Sequence, residues 1–219
     1  MREIIFRSML IVLVVFLVFS TIFISCKKKE GAKEEETPGK LTPKEKIEEH
    51  DNLPMPELSD KATILPPGTK IAVIVTEKGN IEIKLLDDGA PKTVDNFISL
   101  VNQGFYDGLT FHRKVPGELI QTGSPNPDGT GGPGYSIDDE ASPYKHTTGA
   151  VAMAKLPGKE GNPTPNTAGS QFYICLKPLP SLDGKYTVFG TVVNGLDVAG
   201  KINVGDKINQ ISIIEIKSE

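Results

Sequence analysis

The hydrophobic pattern of the 219-residue chain changes twice along its length. An uncharged run from Ser8 to Ser25, apolar from Met9 to Phe19 and preceded by Arg2 and Arg7, reads as an export leader over residues 1–25 and not as a folded element. Residues 27–62 then carry 18 charges in 36 positions with four scattered prolines, too polar a composition to offset the entropy of ordering. From Lys70 the pattern becomes alternating. Ile71, Val73 and Val75 interleave with Ala72, Ile74 and Thr76, and Ile81, Ile83 and Leu85 with Glu82 and Lys84, which predicts a hairpin turning at Gly79-Asn80. Pro91, then Val94, Phe97, Ile98 and Val101 at helical spacing, then Gly104, predict one amphipathic helix with a defined start and stop. Further strand-like runs span Thr110 to Lys114, Leu119 to Thr122, Ala150 to Ala154, Gln171 to Leu176, Thr187 to Val193 and Gln210 to Lys217, with a second short helix near Leu196 to Ile202. The expected fold is mainly β, a closed antiparallel barrel capped by two short helices and formed by residues 66–219.

Charge and motif content narrow the function. With 24 basic and 28 acidic residues the formal balance is −4, which excludes the basic stripe of a nucleic-acid-binding protein. Two cysteines, Cys26 and Cys175, and three widely spaced histidines offer no metal-ligand spacing, and no nucleophile elbow, zinc-protease or phosphate-loop motif occurs, so neither metal nor cofactor is expected. Gly129-Thr-Gly131-Gly132-Pro-Gly134 matches G-x-G-x-x-G, but Pro133 and the residues after it do not open a helix, so a tight surface loop is predicted. Asp87-Asp88 and Asp138-Asp139-Glu140 read as solvated loop charge. The basic residues are 21 Lys and three Arg, and Arg113 is the only arginine beyond the leader, which suggests a position needing a planar fork of donors.

The leader ends in Phe23-Ile24-Ser25-Cys26, which resembles the lipobox of bacterial lipoproteins. The resemblance implies cleavage before Cys26, lipidation of that thiol and a lipid anchor, with residues 26–65 as a solvated tether. An uncleaved anchor stays open as the alternative, since about 18 uncharged residues can just span a bilayer. Either reading places the domain outside the cytoplasm, attached to a membrane, and a monomer is expected.

Phe111-His112-Arg113-Lys114-Val115-Pro116-Gly117-Glu118-Leu119-Ile120-Gln121-Thr122-Gly123 resembles the cyclophilin signature. Gly149-Ala-Val-Ala-Met-Ala, Asn166-Thr-Ala-Gly-Ser-Gln-Phe-Tyr-Ile, Leu182-Asp-Gly-Lys and Val188-Phe-Gly follow in cyclophilin order, so the resemblance covers about residues 70–217. It implies an eight-stranded barrel, an external groove for X-Pro segments of unfolded or exported proteins, and peptidyl-prolyl cis-trans isomerase activity. By the same resemblance Arg113 is the catalytic residue and Gln121 orients it and binds substrate backbone. Phe111, Leu119, Tyr173 and Leu182 would form apolar walls, with barrel core open as the alternative for each, and Met153, Ala154, Asn166, Gln171 and Tyr186 would complete the groove. His112 and His146 are expected to be hydrogen-bonded structural residues, and Cys175 to pack as a small apolar group.

The chain also departs from the family pattern. Glu118 stands where many cyclophilins have Phe, Ser181 where well-known eukaryotic members have Trp, and Tyr186 where those members have His, while residues 155–165 lengthen one loop. Two other functions remain compatible with the sequence: a cyclophilin-shaped module that binds Pro-containing segments with little turnover, and a surface interaction protein.

Overall fold

The folded chain enters its sheet at Lys70. The computed structural model describes residue 50 and residues 52–218, so the leader, Cys26 and most of the expected tether lie outside the described residues. Strands β1 (Lys70–Thr76) and β2 (Gly79–Leu85) form the predicted hairpin. Its turn is Glu77-Lys78, not Gly79-Asn80, because Thr76 pairs with Gly79. The Thr76 hydroxyl sets this register by donating to the Gly79 carbonyl at 2.8 Å and accepting the Lys78 N–H at 3.1 Å.

Six more strands follow: β3 (Arg113–Val115), β4 (Leu119–Thr122), β5 (Ala150–Met153), β6 (Phe172–Cys175), β7 (Val188–Asn194) and β8 (Gln210–Glu215). All eight pair antiparallel in the order β3-β4-β6-β5-β7-β2-β1-β8 and curl into a barrel. The outermost strands β3 and β8 share no ladder. The segments just before them close the seam: Ile208 donates to Leu109 and Gly108 to Ile208, both at 2.8 Å, and Phe111 donates to Asp206 at 2.9 Å.

Strand alternation fills the interior with Ala72, Ile74, Ile81, Ile83, Ile120, Val151, Ile174 and Ile211 among others. Helix α2 (Pro91–Asn102) adds Val94, Phe97, Leu100 and Val101 to the same core. Phe97 packs edge-on against Phe172 at 5.5 Å and lies 5.3 Å from the Phe189 ring, tying the helix to β6 and β7. The helix has no capping side chain of its own at Ala90. Glu140 supplies the cap instead, its carboxylate accepting the Lys92 N–H at 3.0 Å and the Thr93 N–H at 2.6 Å. This corrects the reading of Glu140 as solvated loop charge. At the other end Gly104, with φ 60°, lets Phe105 donate to Leu100 at 3.0 Å and Gly104 to Val101 at 2.9 Å, a Schellman stop at the predicted glycine. Helix α3 (Leu196–Lys201) is the second predicted helix.

The chain before the sheet corrects a second expectation. A short helix, α1 (Asp60–Thr63), lies in the stretch assigned to the solvated tether, and its Ala62 is completely buried. The preceding Ser59 donates its backbone N–H at 2.9 Å and its hydroxyl at 2.5 Å to the buried carboxylate of Glu82. A buried carboxylate needs such donors, and this one recruits them from the segment that composition alone marked as spacer. His50 is also held, at 2.7 Å from Asp107.

Candidate active site

The ladder places the residues of the site in one row. Arg113 on β3 pairs with Gln121 on β4, Gln121 with Tyr173 on β6, and Tyr173 with Ala152 on β5. Successive residues on a strand alternate faces, so this row lies on the outside of the barrel while Ile120 and Ile174 point to its core. The exposed Arg113 is held from one side: its Nη1 donates to Gln121 Oε1 at 3.0 Å. Gln121 Nε2 in turn donates to Gln171 Oε1 at 3.0 Å, and Gln171 Nε2 donates to the carbonyls of Gly129 at 2.9 Å and Gly131 at 3.0 Å. Each amide uses its oxygen toward the arginine and its nitrogen away from it, which fixes both amide orientations. The predicted glycine loop is the terminus of this chain. At Gly129 it leaves no room for a side chain, since a Cβ there would lie 2.8 Å from His112 Cδ2.

An apolar patch adjoins the row. Leu119, Ala152 and Tyr173 belong to its buried part, and Ala154, Leu182 and Tyr186 are among the half-buried side chains packed against it. Tyr186 meets the Tyr173 ring edge-on at 5.8 Å, and Lys155 Nζ sits 5.5 Å over the Tyr186 ring while donating to Asp139 at 2.9 Å. Met153, expected in the groove, and Phe111, for which the core is the open alternative to a groove wall, are each 1% exposed and belong to the barrel core. For Met153 the reason is alternation: its neighbour Ala152 faces the outer patch, so Met153 faces inward. Phe111 lies in the seam segment, and its ring fills the interior beneath it.

Asn166, expected in the groove, adopts φ 55°, a left-handed conformation that Asn tolerates, and its Oδ1 accepts the Asp139 N–H at 2.9 Å, so it shapes the loop beside Lys155. A cleft of about 500 Å³ runs between the glycine loop and residues 154–157, with Gln121 and Gln171 in its wall. The lengthened loop is ordered on its rim, where Thr164 donates to Leu156 at 2.8 Å and Gly158 to Asn162 at 2.9 Å. Glu118, at a position of expected aromatic wall, directs its carboxylate to Lys177 at 2.6 Å, and Ser181 is exposed.

The electrostatics are those of a binding surface. Burial pushes the Cys175 thiol up to about 12, so it stays protonated and apolar. Burial likewise raises the Tyr173 phenol far above its ordinary range. Desolvation lowers His112 below the ordinary imidazole value, opposed by the neighbouring Gln171 amide and Asp128 and reinforced by Arg113. His146 is buried and bonded at both ring nitrogens, to Asp183 and to Tyr173, each at 2.9 Å. Sequence reasoning missed the second of these bonds. The signal for it was a tyrosine in a buried strand, whose hydroxyl requires a partner.

The comparisons with known proteins agree with this geometry. The family model described as "Cyclophilin type peptidyl-prolyl cis-trans isomerase/CLD" matches residues 71–218. The chain is 46% identical over 147 residues to "Peptidyl-prolyl cis-trans isomerase B" of Bacillus subtilis, covering 66% of this chain and 98% of that protein. It is 45% identical over 145 residues to the "Peptidyl-prolyl cis-trans isomerase" of Synechococcus elongatus, covering 65% of this chain and 95% of that one. Among solved structures, a cyclophilin type peptidyl-prolyl cis-trans isomerase of Cryptosporidium parvum matches with a TM-score of 0.59 and 31% identity, over 67% of this chain and 98% of that chain. The same protein in the presence of the dipeptide Ala-Pro matches with a TM-score of 0.56. With a family match from Ile71 to Ser218, relatives of this identity and an eight-stranded curled barrel, the chain belongs to the cyclophilin family of peptidyl-prolyl cis-trans isomerases.

Proposed function

We propose that this cyclophilin isomerises X-Pro bonds of exported polypeptides outside the cytoplasm, by non-covalent catalysis at Arg113, while a lipid on Cys26 holds it at a membrane. The chemical problem is a rotation barrier of about 18–20 kcal/mol, which arises from conjugation between the amide nitrogen and the carbonyl. No bond has to be made or broken, so no nucleophile or proton carrier is required. As the bond twists, conjugation is lost and the prolyl nitrogen regains a localised lone pair. A guanidinium already fixed beside that nitrogen stabilises the twisted state more than either planar isomer, and removing about 7 kcal/mol accelerates rotation about 10⁵-fold.

The observation that carries this reading is the chain Arg113–Gln121–Gln171, which ends on two loop carbonyls and holds an exposed guanidinium at the edge of an apolar patch. Such preorganisation is what electrostatic stabilisation of a transient lone pair needs. The relative's structure with Ala-Pro supports a proline-containing ligand for the patch formed here by Leu119, Tyr173, Leu182 and Tyr186. The export leader and lipobox-like Ser25-Cys26 support the location. The test is magnetisation-exchange NMR on an Ala-Pro peptide with the full chain. Wild type should accelerate exchange strongly and Arg113→Ala should lose nearly all of that acceleration with the same thermal transition; equal rates for the two proteins would overturn the role of Arg113.

A further inference from the structure

Tyr173 presents a problem that the isomerase chemistry leaves unsolved. The residue is 4% exposed and lies among Leu86, Leu119, Ala150, Ala152 and Val188, where a phenol oxygen without a partner would be costly. The partner is His146 Nε2 at 2.9 Å, on a side chain with no solvent exposure. His146 Nδ1 in turn lies 2.9 Å from Asp183 Oδ1, which also accepts the His146 backbone N–H at 2.8 Å. In the neutral ring, an Asp183 carboxylate facing Nδ1 takes the imidazole proton there, so Nε2 is the acceptor and the Tyr173 hydroxyl donates.

The same histidine suspends the opposite wall. Its backbone carbonyl accepts the Leu179 N–H at 2.8 Å, and Asp183 immediately follows the 3₁₀ turn Pro180–Leu182 that carries Ser181 and Leu182. Tyr186 also packs edge-on against the His146 ring at 6.5 Å. One buried imidazole therefore joins a side chain of β6 to the turn across the patch, although the residues are 27 and 37 positions apart in sequence.

We propose that His146 and Asp183 are positioning residues of the groove, which through the Tyr173 hydroxyl hold the Tyr173 ring and the Leu182 turn at a fixed separation for a prolyl residue. This rests on the reading of the patch as the X-Pro site. Neither residue touches the reacting bond. Their contribution is preorganisation: without the hydroxyl tether the ring and turn gain freedom that must be given up again on binding. The effect therefore falls on affinity, whereas Arg113 acts on the twisted state.

The test uses the full chain and the variants Tyr173→Phe, His146→Leu, His146→Gln and the double variant Tyr173→Phe/His146→Leu. KM and kcat for an Ala-Pro peptide, its Kd by titration, and the ring nitrogen NMR signals of His146 are measured. Tyr173→Phe and His146→Leu should each raise KM and Kd about fivefold with kcat changed less than about twofold, and the double variant should be no worse than either single one, because both break one chain. His146→Gln, whose amide oxygen reaches toward the phenol, should recover most of the affinity. Wild-type His146 should carry its proton on Nδ1, and Tyr173→Phe should shift the Nε2 signal. Unchanged Kd in Tyr173→Phe, multiplicative losses in the double variant, a glutamine variant no better than the leucine one, or a proton on Nε2 would each overturn the proposal. If His146→Leu does not fold, Tyr173→Phe and the nitrogen signals decide alone. A wild type that binds the peptide without turnover would overturn the catalytic role of Arg113 and leave the Kd series to decide this proposal.

Discussion

Gln121 binds Arg113 through its amide oxygen and Gln171 through its amide nitrogen, at 3.0 Å on each side. A residue that accepts from a cation and donates to a second amide cannot rotate without breaking both bonds, so the guanidinium inherits the rigidity of the loop behind Gln171. Gln121→Leu should lower kcat/KM about tenfold, the scale of one hydrogen bond to a charged group, with little change in thermal transition. Steady-state kinetics beside calorimetry measure both. Arg113→Lys should remain far below wild type, because a point charge cannot present the same planar fork.

The missing aromatic wall can be rebuilt. Glu118 and Lys177 form an exposed pair at 2.6 Å whose loss should cost stability little. Glu118→Phe and Ser181→Trp should each tighten binding of an Ala-Pro peptide by about two- to fivefold through added apolar burial, and their combination should tighten it further. Titration calorimetry on the three variants tests this. Weaker binding in all of them would show that these two positions do not border the groove.

His112 gives the stability a pH dependence of known sign. Its folded pKa is depressed by burial, so the unfolded chain takes up a proton first as pH falls below the ordinary imidazole value of 6.5. The stability linked to neutral His112 is full above that value and is lost as pH falls toward the depressed folded value. Thermal transitions measured from pH 8 to pH 5 should decline in wild type more than in His112→Gln. Asp183 and Asp206, both depressed by hydrogen bonds from His146 and Lys78 respectively, act in a separate, more acidic window: their stability is present above the ordinary carboxylate range and is lost as pH falls through their folded values.

Ser59 is a stability residue although it precedes the family-matched region at Ile71. Ser59→Ala should remove one of the donors to buried Glu82 and destabilise the fold by about 1–2 kcal/mol, a fall of several degrees in melting temperature. A chain beginning at Gly68 should fall further than one beginning at Asn52, since it also loses the Ser59 N–H and buried Ala62. Equal melting curves for these chains would show that the segment adds nothing.

The anchor has its own test. Intact mass of the membrane-bound protein should show a mature chain beginning at Cys26 with added acyl mass, and Cys26→Ala should abolish that addition. A retained leader would overturn the lipoprotein reading.

What the sequence disclosed and what it hid divide by contact range. The helix Pro91–Asn102, its stop at Gly104 and the strand Leu119–Thr122 follow from local spacing and from residues with restricted backbone choices, so they were legible. The hairpin turn was not, because a threonine hydroxyl outweighed the turn preference of Gly79-Asn80. Glu140 capping a helix 47 residues away, Ser59 serving Glu82 and His146 serving Tyr173 are long-range pairings with no periodicity to announce them. Within the site, Arg113 and Gln121 came from the family signature and fell into adjacent register, as required for their bond. Residue type alone does not say which way a side chain points at a barrel seam or strand end, which is why the sequence holds Phe111 open between groove wall and core and puts Met153 in the groove, although both face the core.

The single row from Arg113 to Ala152 divides labour within each strand. Ile120 and Ile174 hold the interior together, and Gln121 and Tyr173, one residue away, face the groove. A substitution at a groove position leaves the adjacent interior contacts in place, so ligand preference can drift by single residues while the barrel beneath it stays the same.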